Sequence, residues 1–140
     1  MILIDTGPLV GLFDPADNDH PRCVRVLQSI KEPLVTTVPV LTEAIHLLTP
    51  GSHGSKRLCQ YIEKVGMSLW YFNDESLARA FDLMGQYADH PMDLADASLV
   101  CAAEYLNITT IFTIDRNDFS SYRIRKGHKL LPFHLLGAES

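Results

Sequence analysis

The stretch MILIDTGPLV, residues 1–10, places four apolar side chains ahead of Asp5 and follows it at once with Thr6, Gly7 and Pro8. A short apolar run closed by a sharp turn reads as a buried strand over residues 1–5. Proline suits the first turn of a helix, here one running through LVGLF to the loop DPADND. The unit is strand, tight turn, helix. A carboxylate at the end of an interior strand is costly unless it caps a helix, pairs with a cation or binds a metal. The role of Asp5 therefore has to be sought in the rest of the chain.

The same alternation continues. Asp19 or Asn18 can cap a helix over residues 20–31, whose Val24, Leu27 and Ile30 form one apolar face, and Pro33 stops it. LVTT, residues 34–37, is a β-branched run suited to a strand, and Pro39 introduces a helix through VLTEAIHLL that ends before Pro50-Gly51. A helix over 55–65, a strand in SLWYF and a helix ESLARAFDLMGQYA capped by Asp74 follow. Pro91 precedes the helix DLADASLVCAAEYL, almost wholly apolar or small after Asp96, and ITTIFTI is a central-strand candidate ending at Asp115. Strands alternating with helices predict one α/β domain over residues 1–140, with a mostly parallel sheet covered on both faces.

Composition narrows the function. The 140 residues are 46% hydrophobic and 21% charged, the balance of a folded globular chain long enough to bury about 70% of its unfolded surface. No apolar run approaches the roughly 20 residues of a membrane span and the start lacks a basic signal-peptide region, so a cytoplasmic protein is expected. Cys23, Cys59 and Cys101 are odd in number and widely spaced, which argues against a disulfide framework or a zinc knuckle and for three buried small hydrophobes. The six histidines lack metal spacing. A net charge of −5 excludes a protein whose main task is gripping nucleic acid over its whole surface, so any such contact must be local.

The chemistry sits in the acids. Asp5 and Asp115 end two of the most apolar strands, and the carboxyl edge of a parallel sheet is where sites assemble. Glu43 lies in the helix after the second strand. Asp96 lies in the first turn of the helix leading into the TIFTI strand, and reaches the same rim only if the topology brings that helix round. At about 5 Å and an effective dielectric near 20, each pair of such charges repels by about 3 kcal/mol, so a converged cluster needs a cation or raised pKa values. An all-oxygen donor set suits Mg²⁺ or Mn²⁺ and hence phosphodiester chemistry. Plainer roles compete. Asp93 fits an N-cap with Asp96 three residues on, Asp118 can start a turn, and Glu43 can be a solvated helix residue. Glu43 and His46 have the i, i+3 spacing of a di-iron ligand pair, but a second such pair is absent, leaving His46 as a helix-face residue near the site.

Taken together, LIDTGPLVGLFD, VPVLTEAIHLL and MDLADASLVCAAEYLNITTIFTIDRNDF make the chain similar to the PIN-domain family, and to its small VapC-type toxins in particular. Asp5, Glu43, Asp96 and Asp115 match the family's four acidic positions; Thr6 and Thr113 match the hydroxyl residues beside the first and fourth. The resemblance implies a three-layer α/β/α fold, a Mg²⁺- or Mn²⁺-dependent ribonuclease, frequent dimerisation and, for VapC-type members, inhibition by a cognate antitoxin. It implies metal coordination by Asp5, Asp96 and Asp115, with Glu43 binding a metal-bound water or a second ion; Asp93 departs from the family pattern as a fifth acid, and the pattern favours Asp96 over it as the metal contact. A haloacid-dehalogenase-like phosphatase would need a second aspartate two residues after Asp5, where Gly7 stands. A PIN-domain nuclease of RNA processing and a metal-free interaction module are the remaining alternatives.

RNA still has to reach an acidic pocket. Arg116 adjoins Asp115, and RIRKGHK supplies Arg123, Arg125, Lys126 and Lys129, which can meet backbone phosphates or simply charge an exposed sheet edge.

Overall fold

Strand β1 (Ile2–Ile4) is buried at every residue and lies in the middle of a five-stranded sheet. The computed structural model describes residues 1–64 and 66–138. On one side of β1 come β2 (Leu34–Thr37) and β3 (Ser68–Trp70), on the other β4 (Thr110–Phe112) and β7 (His134–Leu136). Every pairing is parallel, with Leu3 opposite both Val35 and Ile111. All five strands therefore end at one rim. The apolar runs at 2–4, 34–35 and 111–112 are short and unalternated because both faces of the sheet are covered.

Helices α1 (Thr6–Phe13), α2 (His20–Ser29), α3 (Val38–Leu48) and α4 (His53–Lys64) form one packed group, with α1 touching the other three. Helices α5 (Asp74–Gln86) and α6 (Leu94–Leu106) pack on each other. With the sheet between helical layers this is the three-layer α/β/α arrangement. Among the described residues no helix is long and apolar enough to cross a membrane. The apolar face of α6 follows from its composition, since Ala97, Leu99, Val100, Cys101, Ala102 and Ala103 are all fully buried. Asn107, in the left-handed region at φ 56°, ends it.

Several boundaries differ from the sequence expectation. Asn73, not Asp74, caps α5, exchanging hydrogen bonds with Ser76 in a capping box, and Asp74 is the first helical residue. Asp19 stands before α2 but makes no capping bond; its carboxylate accepts from the Arg22 guanidinium instead. Helix α2 stops at Ser29. The strands expected over 68–72 and 108–114 shorten to three residues each, because only those residues pair. Residue 65, the last expected in α4, lies outside the described residues. Cys23 and Cys101 are buried, whereas Cys59 on α4 is only half-buried, so the expectation of three core cysteines is corrected for Cys59. Asp118 does not open a turn but sits in a short helix, α7 (Arg116–Ser121). The basic run forms a separate antiparallel hairpin, β5 (Arg123–Lys126) and β6 (Lys129–Pro132), rather than an edge of the main sheet, and β7 takes that edge.

Candidate active site

Asp5, Asp93, Asp96, Asp115 and Asp118 owe their places to a strand end or a helix start, whereas Glu43 lies within α3 and Asp17 in a loop. The Asp5 backbone N–H is fixed by the Phe112 carbonyl, which continues the β1–β4 pairing to the rim. Asp5 then caps α1. Its Oδ1 accepts from the Thr6 N–H at 2.7 Å and its Oδ2 from the Thr113 hydroxyl at 2.9 Å. Gly7 is required in this turn: a Cβ there would come within 2.7 Å of the Ile114 side chain. Thr113 in turn accepts the Asp115 N–H at 3.0 Å, so one hydroxyl spans both strand-end aspartates. Asp115 caps α7 by accepting from the Asp118 N–H.

The approach of α6 to this rim is held by Thr37, which caps α3 and shares a 2.6 Å hydrogen bond with Ser98. That contact joins α3, which carries Glu43, to α6, which carries Asp96, and both acids line one pocket. Asp93 caps α6 through the Asp96 N–H, and the Asp96 Oδ2 accepts from the Tyr122 hydroxyl at 2.9 Å. Asp118 Oδ1 lies 2.7 Å from His90 Nε2. One pocket of about 390 Å³ results, lined by Asp5, Asp17, Glu43, Asp93, Asp96, Asp115 and Asp118 together with Thr6. Among the described residues no Lys, Arg or His lines it.

Seven carboxylates around one space cannot all ionise freely. Burial pushes the Asp5 carboxyl up to about 6; the Thr6 and Thr113 bonds oppose this, while the charges of Asp115 and Glu43 add to it. Burial is also the leading cause at Asp96, pushed up to about 8 with further contributions from Asp93, Asp5 and Asp118. Asp118 is raised too, by burial first and by its hydrogen bonding with Asp115, against the opposing effect of His90. Tyr122 is raised by burial and by the Asp96 charge, so its hydroxyl keeps its proton. The Thr6 Oγ1 is buried and finds no hydrogen-bond partner among the described residues. An all-oxygen donor set, with Asp5 and Asp96 buried and an unpartnered hydroxyl on the lining, fits a hard divalent cation. Among the described residues no three Asp, Glu, His or Cys side chains are yet drawn tightly enough together to clasp one.

This order of elements and acids has relatives. The PIN domain family model matches residues 2–124. The chain belongs to the PIN domain family. It is 28% identical over 125 residues to "Ribonuclease VapC26" of Mycobacterium tuberculosis, covering 87% of this chain and 92% of that protein. Its PIN fold superposes on the crystal structure of VapC20 of M. tuberculosis, described as a sarcin-ricin loop cleaving toxin, with a TM-score of 0.77 at 17% identity, covering 84% of this chain and 92% of that one. It also superposes on a toxin-antitoxin complex from Klebsiella pneumoniae, with a TM-score of 0.67 at 16% identity and coverage of 86% and 92%.

Within this PIN domain the structure brings together Asp5, Glu43, Asp93, Asp96, Asp115 and Asp118, with Thr6 on the lining and Thr113 behind it. His46 is exposed on α3 and borders a neighbouring shallow groove with Glu43 and Asp93. The basic residues stand apart. Arg116 is exposed at the start of α7, and the Arg123 guanidinium donates to the carbonyls of Ser120 and Tyr122. Arg125 and Lys126 border a crevice with Glu104 and Asn107 at the far end of α6, about 16 Å of helix from Asp96. One pocket residue, Asp17, and one residue bonded to a pocket acid, Tyr122, escaped the sequence reading. Asp17 comes from the loop DPADND, where it accepts the Asp19 N–H in a local turn, and nothing distinguishes it there from its acidic neighbours. Tyr122 follows α7, an element the pattern did not show.

Proposed function

We propose that this PIN domain is an endoribonuclease dependent on Mg²⁺ or Mn²⁺, and the toxin of a toxin–antitoxin pair. The observation that carries the reading is the pocket of seven carboxylates, lined among the described residues by no cationic side chain, where a phosphodiester would need added positive charge to bind. Asp5, Asp96 and Asp115 are the residues that would hold the cation, and Glu43 on the same lining would orient a water or a second ion. Bound there, a divalent cation acts as a Lewis acid toward a phosphate oxygen and an attacking water. Asp5 and Asp96 must give up their protons to bind it, so occupancy rises with pH through the range of their raised pKa values. The Thr113 hydroxyl keeps Asp5 aimed at the pocket, and the N-termini of α1 and α6, each capped by an aspartate there, favour the ionised form once the proton has left. The likeness to a protein named ribonuclease VapC26 supports RNA as substrate, and the toxin–antitoxin complex among similar folds supports an antitoxin partner.

Calorimetric titration with Mn²⁺ and cleavage of a labelled RNA test this directly. Wild type should bind and cleave. Asp5→Asn and Asp96→Asn should lose at least about 10-fold in Mn²⁺ affinity and lose cleavage, while still melting cooperatively. A wild-type chain that binds no divalent cation overturns the reading. Growth arrest on expression that vanishes in the same variants separates a toxin from a processing nuclease.

A further inference from the structure

We propose that Tyr122 is a positioning residue for the acidic pocket: its hydroxyl fixes one oxygen of Asp96 and leaves the other for a bound cation. The proposal rests on the divalent-cation reading above. Tyr122 is wholly buried and directly follows α7, its N–H accepted by the Asp118 carbonyl. Its ring is walled in edge-to-face by Tyr87 at 5.1 Å, Phe119 at 5.2 Å and His90 at 6.0 Å. These contacts pack around the ring in the orientation that makes the 2.9 Å bond to Asp96 Oδ2. The same short helix carries Asp115 at its start and Tyr122 at its end, so α7 reaches the pocket twice, once with a carboxylate and once with a donor to another. A buried phenol that holds a ligating carboxylate in one rotamer lowers the cost of organising that ligand when the cation arrives, the role outer hydrogen bonds have around metal sites generally. Tyr87 provides an internal contrast. It belongs to the same aromatic cluster, but its hydroxyl accepts the Arg123 N–H and, among the described residues, makes no hydrogen bond to a pocket acid.

The test is Mn²⁺ titration of wild type, Tyr122→Phe and Tyr87→Phe by calorimetry, with near-ultraviolet circular dichroism and thermal melting as measures of the fold. Tyr122→Phe should keep a cooperative melt and bind Mn²⁺ about 10-fold more weakly, and Tyr87→Phe should bind like wild type. Equal affinity in Tyr122→Phe and wild type overturns the positioning role while leaving the nuclease reading intact. Equal weakening in both variants, or loss of the fold in Tyr122→Phe, overturns it as well, because the cluster's packing would then be the cause. A wild type that takes up no Mn²⁺ fails at the earlier reading instead.

Discussion

The Thr113 hydroxyl is engaged on both sides, donating to Asp5 and accepting from the Asp115 backbone, and it is fully buried. Thr113→Val keeps the shape but removes both bonds and leaves a buried carboxylate short of a donor. It should cost about 1–3 kcal/mol in urea unfolding and weaken Mn²⁺ binding, with Thr113→Ser restoring most of both. Asp5 and Asp96 were legible at this scale because a carboxylate amid Ile4, Leu94, Ala95 and Ala97 breaks an otherwise apolar pattern. Asp17 and Tyr122 were not, since each reaches the pocket through a loop or short helix whose course depends on long-range packing.

Among the elements, α5, α6 and β5 meet at one carboxylate. Glu104 accepts two bonds from the Arg79 guanidinium, both at 3.0 Å, and a third from the Arg125 N–H, with the Arg79 and Glu104 side chains only 13% and 8% exposed. Arg79→Met strands that charge and should lower stability by about 3 kcal/mol, read as a fall in the urea midpoint; adding Glu104→Gln should recover part of the loss. Strands β1 and β2 and the helices α1 to α6 could be read from apolar run length, caps and prolines. The chain beyond Asp115 could not. Strand β7 is three residues long and acquires its identity only by pairing with β4, and the hairpin read merely as a run of cations, because its apolar contribution is little more than Ile124 and Leu131.

For the whole molecule the acids set a pH response. Asp5 and Asp96 have folded pKa values of about 6 and about 8 against 3.8 for an ordinary aspartate. Between these limits the folded chain binds more protons than the unfolded one, so without metal its stability must fall as pH rises from about 4 to about 8 and level off above. Thermal midpoints at pH 5 and pH 8 should show that decline. Mn²⁺ should reverse it, raising the midpoint far more at pH 8 than at pH 5, and Asp5→Asn should shrink both effects.

Acids gather where α6 begins, and Arg125, Lys126 and Lys129 project near where it ends. Separated in this way, these charges contribute a dipole component along α6, in addition to the chain's net charge of −5. In the field of a polyanion such a body turns its hairpin forward and its pocket away. A divalent cation held in the pocket, as proposed, would offset part of that charge separation and weaken the bias that turns the pocket away from a polyanion.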